Sequence, residues 1–196
     1  KEEPTERQHT KRLLPMVKDL LLAADVKMSN LDAIAYGRGP GSFTGIRIAA
    51  GVAQGLAFGI DCKVLPISTL AALALRLHQQ SNIANLAYAC SLDARMGEVY
   101  WGEYIIDEDH PEIALPQVAE RVCSPTQVEV VNSLYAACGS GMAVANIPQA
   151  IIASAQSVCS DLQPRALEMA RLAGADFALG RQCAPEDALP VYLRDE

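Results

Sequence analysis

One predicted helix, Phe43–Gly59, contains so many small residues that it constrains how this chain can fold. Small residues recur along it at four-residue spacing in two stripes. One stripe consists of Gly45, Ala49, Ala53 and Ala57, and the other consists of Gly51, Gly55 and Gly59. A glycine inside a helix costs about 1 kcal/mol relative to alanine. The stripes therefore indicate a packing role, because small side chains allow another backbone to approach closely.

The same helix lacks a polar face. Between Gly45 and Phe58 its only polar side chains are Arg47 and Gln54, which lie seven residues apart and so on one face. The predicted helix Thr10–Ala24 also carries a wider apolar stripe than one core face needs. A helix that is apolar nearly all round is buried on nearly all sides. We therefore expect a partner to cover these two helices.

The first part of the chain alternates helices and strands. Apolar runs predict strands at Ala33–Tyr36 and Lys63–Ile67. Ser68 is a residue type that caps helix starts, and it precedes a predicted helix from Thr69 to about Gln80. Alternation of this kind predicts parallel strands joined by helical crossovers.

The second part begins after the polar stretch His78–Asn85, so the predicted domains are residues 1–85 and 86–196. Two apolar runs joined by a predicted five-residue loop, Asp93–Gly97, predict a β-hairpin, and further elements follow it. The predicted elements are strands Leu86–Leu92, Val99–Ile106 and Gln117–Val122, a capped turn Ser124–Gln127, a strand Leu134–Cys138 and a helix Pro164–Leu179. We expect the tail Pro185–Asp195 to return to the first lobe.

Composition argues against two classes of protein. The net charge is −7, and eight Asp or Glu but one basic residue lie between Glu98 and Glu129. A stand-alone nucleic-acid binder needs a basic face instead. No run approaches the ~18 uninterrupted apolar residues of a membrane span. The six cysteines form no CxxC pair, which indicates core thiols in a reducing compartment, and we expect a cytoplasmic protein.

Two turns are candidate sites. The loop after the first strand carries Gly39, Gly41 and Ser42, but it has neither the lysine of a Walker loop nor the dinucleotide fingerprint. It is either a sharp turn that aims the next helix or a contact for a nucleotide or a partner. Asp93 and Arg95 stand in the hairpin turn, where they either stabilise the turn or form a site. The histidines at 9, 78 and 110 lack the spacing of a metal motif.

Several segments resemble the TsaB (YeaZ) family. They are Tyr36–Arg47, Asp93–Tyr100 and Pro190–Arg194, and His9–Met16 resembles the first helix of that family. The resemblance implies an α/β, actin/Hsp70-like (ASKHA) fold with two lobes. Sequences of this family begin with strands that carry a first phosphate loop. These strands and their turns take about 25–30 residues. These do not precede the first helix of this sequence, so we expect a first lobe that lacks its N-terminal strands.

The resemblance also implies a function. TsaB-like proteins pair with a paralogue, the catalytic subunit TsaD, and the ATPase TsaE joins them. The complex transfers threonylcarbamoyl from threonylcarbamoyl-AMP to N6 of adenosine 37 in tRNAs that read codons beginning with A, which gives t6A. TsaD-like sequences carry metal-binding histidines where this chain has Thr69 and Leu73. Neither side chain replaces an imidazole ligand, so the comparison implies a pseudo-enzyme with no metal site.

These inferences predict a non-catalytic scaffold subunit. Its expected partners are TsaD and TsaE, and it is expected to reach tRNA indirectly through the complex. Alone, it is expected to form a homodimer, and no contact with a membrane is expected. It is expected to have no cofactor of its own, and ATP or ADP is expected to bind only at the complex. Two alternatives stay open, an ASKHA-type metalloenzyme, ATPase or peptidase-like enzyme, and a nucleotide-sensing module. The predicted partner interface consists of Leu13, Leu14, Val17, Leu21, Phe43, Ile46, Ala50, Ala53, Gln54 and Ala57.

Overall fold

The computed structural model describes residues 9–81, 83 and 85–194. The predicted domains and their boundary also include residues 1–8, 82, 84, 195 and 196, which lie outside the described residues. The helices are α1 His9–Ala24, α2 Phe43–Ile60, α3 Thr69–His78, α4 Gln149–Ser154 and α5 Ala166–Ala178. The strands are β1 Ala33–Gly39, β2 Lys63–Ser68, β3 Ala87–Arg95, β4 Glu98–Ile106, β5 Ala114–Pro116, β6 Arg121–Cys123, β7 Tyr135–Cys138 and β8 Val158–Cys159.

The first sheet consists of β1 and β2, which run parallel with α2 as the crossover between them. Side chains alternate across this sheet. Tyr36 and Val64 face the small core under α2, whereas Leu65 and Ile67 join the large core around α3. The predicted parallel, crossover-linked strands are confirmed within the described residues.

Local capping sets the ends of the helices on this sheet. The hydroxyl of Ser68 accepts hydrogen bonds from the amides of Leu70 and Ala71, at 3.1 and 3.2 Å, which confirms it as the cap of α3. By length and composition alone, α2 is also apolar enough to cross a membrane. The core helix of a soluble protein passes the same test, so this property of α2 is weak evidence for a membrane span.

The second sheet has the strand order β5-β4-β3-β7-β8, and β6 also pairs with β4. One face packs on α3 and α5 in the large core. The opposite face, which holds Trp101 and Tyr135, packs on α4 and the segments before it. Because α3 contacts strands of both sheets, the large core continues from the first predicted lobe into the second.

Two strand predictions need correction. β3 and β4 continue to Arg95 and Glu98, so a tight turn at Met96 and Gly97 replaces the predicted five-residue loop. The φ angles of Arg95, Met96 and Gly97 are 66°, 55° and 78°, the left-handed conformation that suits a tight hairpin. The predicted strand at residues 117–122 is confirmed only at its end, because β6 begins at Arg121. β5 and β6 flank an irregular stretch there, in which Glu120 turns towards the cleft between the sheets.

Candidate functional site

The inner stripe of α2 packs inside the chain. Ala50, Ala53 and Ala57 are buried in the small core beside Tyr36 and Val64. Ile46, further towards the start of the same helix, is buried too. The assignment of Ile46, Ala50, Ala53 and Ala57 to the partner interface is therefore wrong, because their side chains are buried inside the chain itself. The four-residue spacing groups residues on one face, but it does not indicate which face is turned inward.

The other predicted interface residues keep surface exposed. Leu14 and Phe43 are exposed, and the remaining ones are half-buried, namely Leu13, Val17, Leu21 and Gln54. The second stripe of α2 points outward, since a Cβ built at Gly51, Gly55 or Gly59 meets nothing within 4 Å. We call the exposed surface of α1 and α2 the outer helical face, and it comprises Leu14, Leu22, Gly51, Gly55, Phe58 and Gly59.

Large apolar side chains on the outer helical face are unusually exposed. Leu14, Phe58 and Leu22 are 50%, 63% and 69% exposed. A groove of about 290 Å³ runs between α1 and α2, and its lining residues are Leu14, Val17, Lys18, Leu21, Leu22, Val26, Met28 and Leu56. Contiguous apolar patches of this kind mark interaction sites on soluble proteins.

A polar cluster joins the two lobes across the cleft. The carboxylate of Glu120, on the second lobe, accepts a hydrogen bond from the hydroxyl of Ser68 and forms a 3.0 Å ion pair with Arg38, both on the first lobe. Tyr104 on β4 donates to the same carboxylate at 2.5 Å. Burial, and then the negative charge of Glu120, raises the pKa of Tyr104 well above its usual value of 10, so its hydroxyl stays protonated as a donor.

The cleft beside this cluster has a volume of about 450 Å³. Its floor comes from β2 and α3, with Ile67 and Ala71, and one wall comes from the segment around Glu112 and Val118. Both oxygens of the Glu120 carboxylate already have protein partners. The arrangement therefore acts as a fastening between the lobes.

The glycine-rich loop packs against the C-terminal tail. The amide of Val191 donates a 2.8 Å hydrogen bond to the carbonyl of Arg38. Gly39 has φ 105°, and a Cβ there would lie 3.3 Å from the carbonyl of Val191. Ser42 caps α2 by accepting a hydrogen bond from the amide of Gly45 at 3.4 Å. For Gly39, Gly41 and Ser42, these contacts favour the interpretation as a turn that aims α2.

The charged hairpin turn is held from two sides. Asp93 accepts hydrogen bonds from the amide and the guanidinium of Arg95, at 2.7 and 3.3 Å. Arg194 of the tail donates to the carbonyl of Ala94 at 3.2 Å and pairs with Glu98. Arg95 binds its own turn through Asp93, and Arg194 binds the turn from the tail. Together these contacts hold the turn in place. For Asp93 and Arg95, the contacts favour the interpretation as a stabilised turn.

Comparison with known proteins decides the family. The sequence profile described as "TsaD: tRNA N6-adenosine threonylcarbamoyltransferase" matches residues 3–178. The chain is 36% identical to the tRNA threonylcarbamoyladenosine biosynthesis protein TsaB of Haemophilus influenzae, over 99% of this chain and 83% of that protein. It is 39% identical to TsaB of Escherichia coli, over 96% of this chain and 82% of that protein. The chain belongs to the TsaB (YeaZ) family.

A solved TsaB-family structure supports the fold. YeaZ from Pseudomonas aeruginosa superposes with a TM-score of 0.88 at 42% identity, and the match covers 97% of this chain and 87% of that one. The predicted family and the predicted α/β, actin/Hsp70-like fold are therefore confirmed. The first sheet has β1 and β2 alone among the described residues.

The two positions that the family resemblance relates to metal ligands lie in the core of this chain. Thr69 is 9% exposed and Leu73 is fully buried, both on α3. Within the residues that the structure describes, no group of three or more His, Cys, Asp or Glu could hold a metal ion. The side chains present at these two positions do not fit a metal centre.

Sequence reasoning missed the fastening between the lobes. Arg38 belongs to the glycine-rich motif and Ser68 is recognisable as a cap, but nothing in the sequence pairs either with Glu120. The one available signal is that Glu120 interrupts a predicted apolar strand. That signal argues against the strand, but it does not identify Arg38, Ser68 and Tyr104 as partners.

Proposed function

We propose that this TsaB-family protein is a non-catalytic subunit in t6A synthesis and that it binds a TsaD catalytic subunit through the outer helical face. The names of the curated relatives support a role in t6A biosynthesis. We further propose that it works in the cytoplasm, that TsaE joins the pair, and that tRNA is reached through the complex.

The exposed apolar side chains of the outer helical face carry this proposal. Leu14, Leu22 and Phe58 leave most or half of their surface in water. On α2, the backbone at Gly51, Gly55 and Gly59 is uncovered, since a Cβ built at any of them meets nothing within 4 Å. Two helices of a partner can pack closely against this uncovered backbone, because helix axes approach to about 8–10 Å when the residues between them are small. A four-helix contact of this kind buries the apolar surface of α1 and α2.

The non-catalytic part of the proposal rests on residue types. Thr69 and Leu73 occupy the positions that the family comparison relates to metal-binding histidines, and neither provides an imidazole. Metal analysis after dialysis, together with an ATP-hydrolysis assay, tests this part. We expect no stoichiometric iron or zinc and no hydrolysis, and finding bound metal with activity would replace the proposal by the metalloenzyme alternative.

The variant Gly55→Arg tests the partner surface. A Cβ built at this position meets nothing within 4 Å in the chain itself, so the variant should fold. At a close helix contact, the bulky charged side chain would be buried without a partner and should weaken binding to TsaD by about tenfold or more. Sedimentation and calorimetry with purified TsaD measure the change.

Two controls separate folding from binding. Ala178→Arg places the same charge on an exposed position of α5 and should leave TsaD binding unchanged. Gly55→Ala should raise the thermal unfolding temperature by a few degrees, because alanine is favoured over glycine inside a helix by about 1 kcal/mol, and it should leave TsaD binding nearly unchanged. If Gly55→Arg is folded and binds TsaD as tightly as the parent protein, the outer helical face is not the interface. Without TsaD, the parent protein should sediment as a homodimer that TsaD displaces.

A further inference from the structure

Segments that are far apart in the sequence meet at the start of α2. Phe43 and Arg47 come from α2, Tyr192 and Arg194 come from the tail, and Tyr100 follows the hairpin turn. They surround a cavity of about 380 Å³, which we call the anchor pocket. These segments are the ones that carry the family resemblance, yet the outer helical face uses none of these five side chains.

Among the residues that the structure describes, no carboxylate partners the charge of Arg47. Its guanidinium lies 3.6 Å from the ring centroid of Phe43 and 5.3 Å from that of Tyr192. Its Nε donates a 2.7 Å hydrogen bond to the hydroxyl of Tyr192. A stacked guanidinium keeps its terminal N–H groups available for two parallel hydrogen bonds to a carboxylate.

The surroundings favour a single negative charge over a phosphate. Arg194, the second cation at the pocket, is already paired with Glu98. One uncompensated guanidinium matches one carboxylate, whereas the Glu98 carboxylate and the net charge of −7 oppose a dianionic or polyanionic ligand.

The pocket wall favours an apolar group next to that charge. Phe43 is 54% exposed and Tyr192 is 48% exposed, and Ile46, Val191 and Leu193 also line the pocket. Half-exposed aromatic rings beside an arginine are typical of anchor positions in protein interfaces. A free inorganic ion would leave this apolar surface without a contact.

We propose that the anchor pocket binds a segment of a protein partner in which an Asp or Glu adjoins a large apolar side chain. Arg47 pairs with the carboxylate, and Phe43 and Tyr192 contact the apolar neighbour. The proposal does not rest on the outer helical face, because the side of α2 that carries Arg47 is the side that contacts the tail.

Titration with a small probe tests the proposal in the intact protein. The probe is the dipeptide N-acetyl-Phe-Asp-amide, and its matched control is N-acetyl-Phe-Asn-amide, which has the same shape without the charge. We expect the acidic dipeptide to shift the NMR signals of Arg47 and Tyr192 in a saturable manner, and the neutral one to bind about tenfold more weakly. Equal binding of both, or no shift with either, would overturn the proposal.

A pair of variants and two competing ligands complete the test. Arg47→Met keeps the stem of the side chain but removes the charge, and it should abolish the difference between the two dipeptides. Arg171→Met, at an exposed position of α5, should leave that difference unchanged. If AMP binds the pocket more tightly than the acidic dipeptide, the site takes phosphate instead. If Arg47→Met dissociates a homodimer, the occupant is a second copy of the chain, which also overturns the proposal.

Discussion

The fastening around Glu120 allows a quantitative prediction. The Glu120 side chain is 10% exposed, and three side chains donate hydrogen bonds to it. Glu120→Ala leaves Arg38, Ser68 and Tyr104 without their acceptor. Hydrogen bonds to a charged group contribute about 1.5–3 kcal/mol each, but their sum overstates the cost, because the side chain of Arg38 is 25% exposed and regains water. Breaking a fully buried ion pair costs about 3–5 kcal/mol, and because this pair is partly exposed we expect Glu120→Ala to lower the free energy of unfolding by less, about 1.5–3 kcal/mol.

Urea unfolding measures this change. Trp101, the single tryptophan, is fully buried in the second lobe and reports its unfolding by fluorescence. Glu120→Gln keeps an acceptor oxygen for the hydroxyl groups, so it should cost about half as much. Glu108→Ala removes an exposed carboxylate of the same lobe and should change stability by no more than about 0.5 kcal/mol. If Glu120→Ala resembles Glu108→Ala, the cluster does not stabilise the fold, and the reasoning is refuted.

Three further predictions concern other positions. Burial lowers the pKa of His78 from 6.5, so the unfolded chain takes up a proton before the folded protein does. Stability should be full above that value and decline as pH falls below it, and in urea titrations His78→Gln should remove this part of the decline. Asp93→Ala removes the acceptor of the Arg95 amide and should cost about 1 kcal/mol of unfolding free energy. A loss of t6A formation in a reconstituted system with unchanged stability and complex formation would instead make Asp93 part of a site. Gly141→Ala would place a Cβ 2.0 Å from the hydroxyl of Ser91 and should lower the free energy of unfolding by about 1–3 kcal/mol. Calorimetry that finds no change in unfolding temperature would contradict this close approach.

Strong local signals made much of the fold predictable. α2 extends over Phe43–Ile60, one residue beyond its predicted end, because a capping serine and a long apolar run define its limits. The start of α3 is equally clear from Ser68. β1 and β2 are predictable as parallel strands because a helix lies between them, and this connection does not allow a tight hairpin.

Long-range contacts explain what the sequence could not predict. The inward stripe of α2 is selected by Tyr36 and Val64, which lie outside the helix, so helical spacing contains no information about it. The approach of Glu120 to Arg38 joins residues 82 positions apart in the sequence. Both features depend on packing between separate elements of the chain, and no local pattern determines that geometry.

The course of the tail has a consequence for synthesis on the ribosome. Val64 of β2 exchanges two backbone hydrogen bonds with Cys183, at 3.0 and 2.9 Å, and the hydroxyl of Tyr36 donates to the carbonyl of Leu189 at 3.1 Å. The early strands therefore acquire these neighbours only after the whole second sheet has been translated. We expect the second sheet to assemble first, while the nascent first lobe keeps apolar surface open to chaperones until the tail emerges from the exit tunnel.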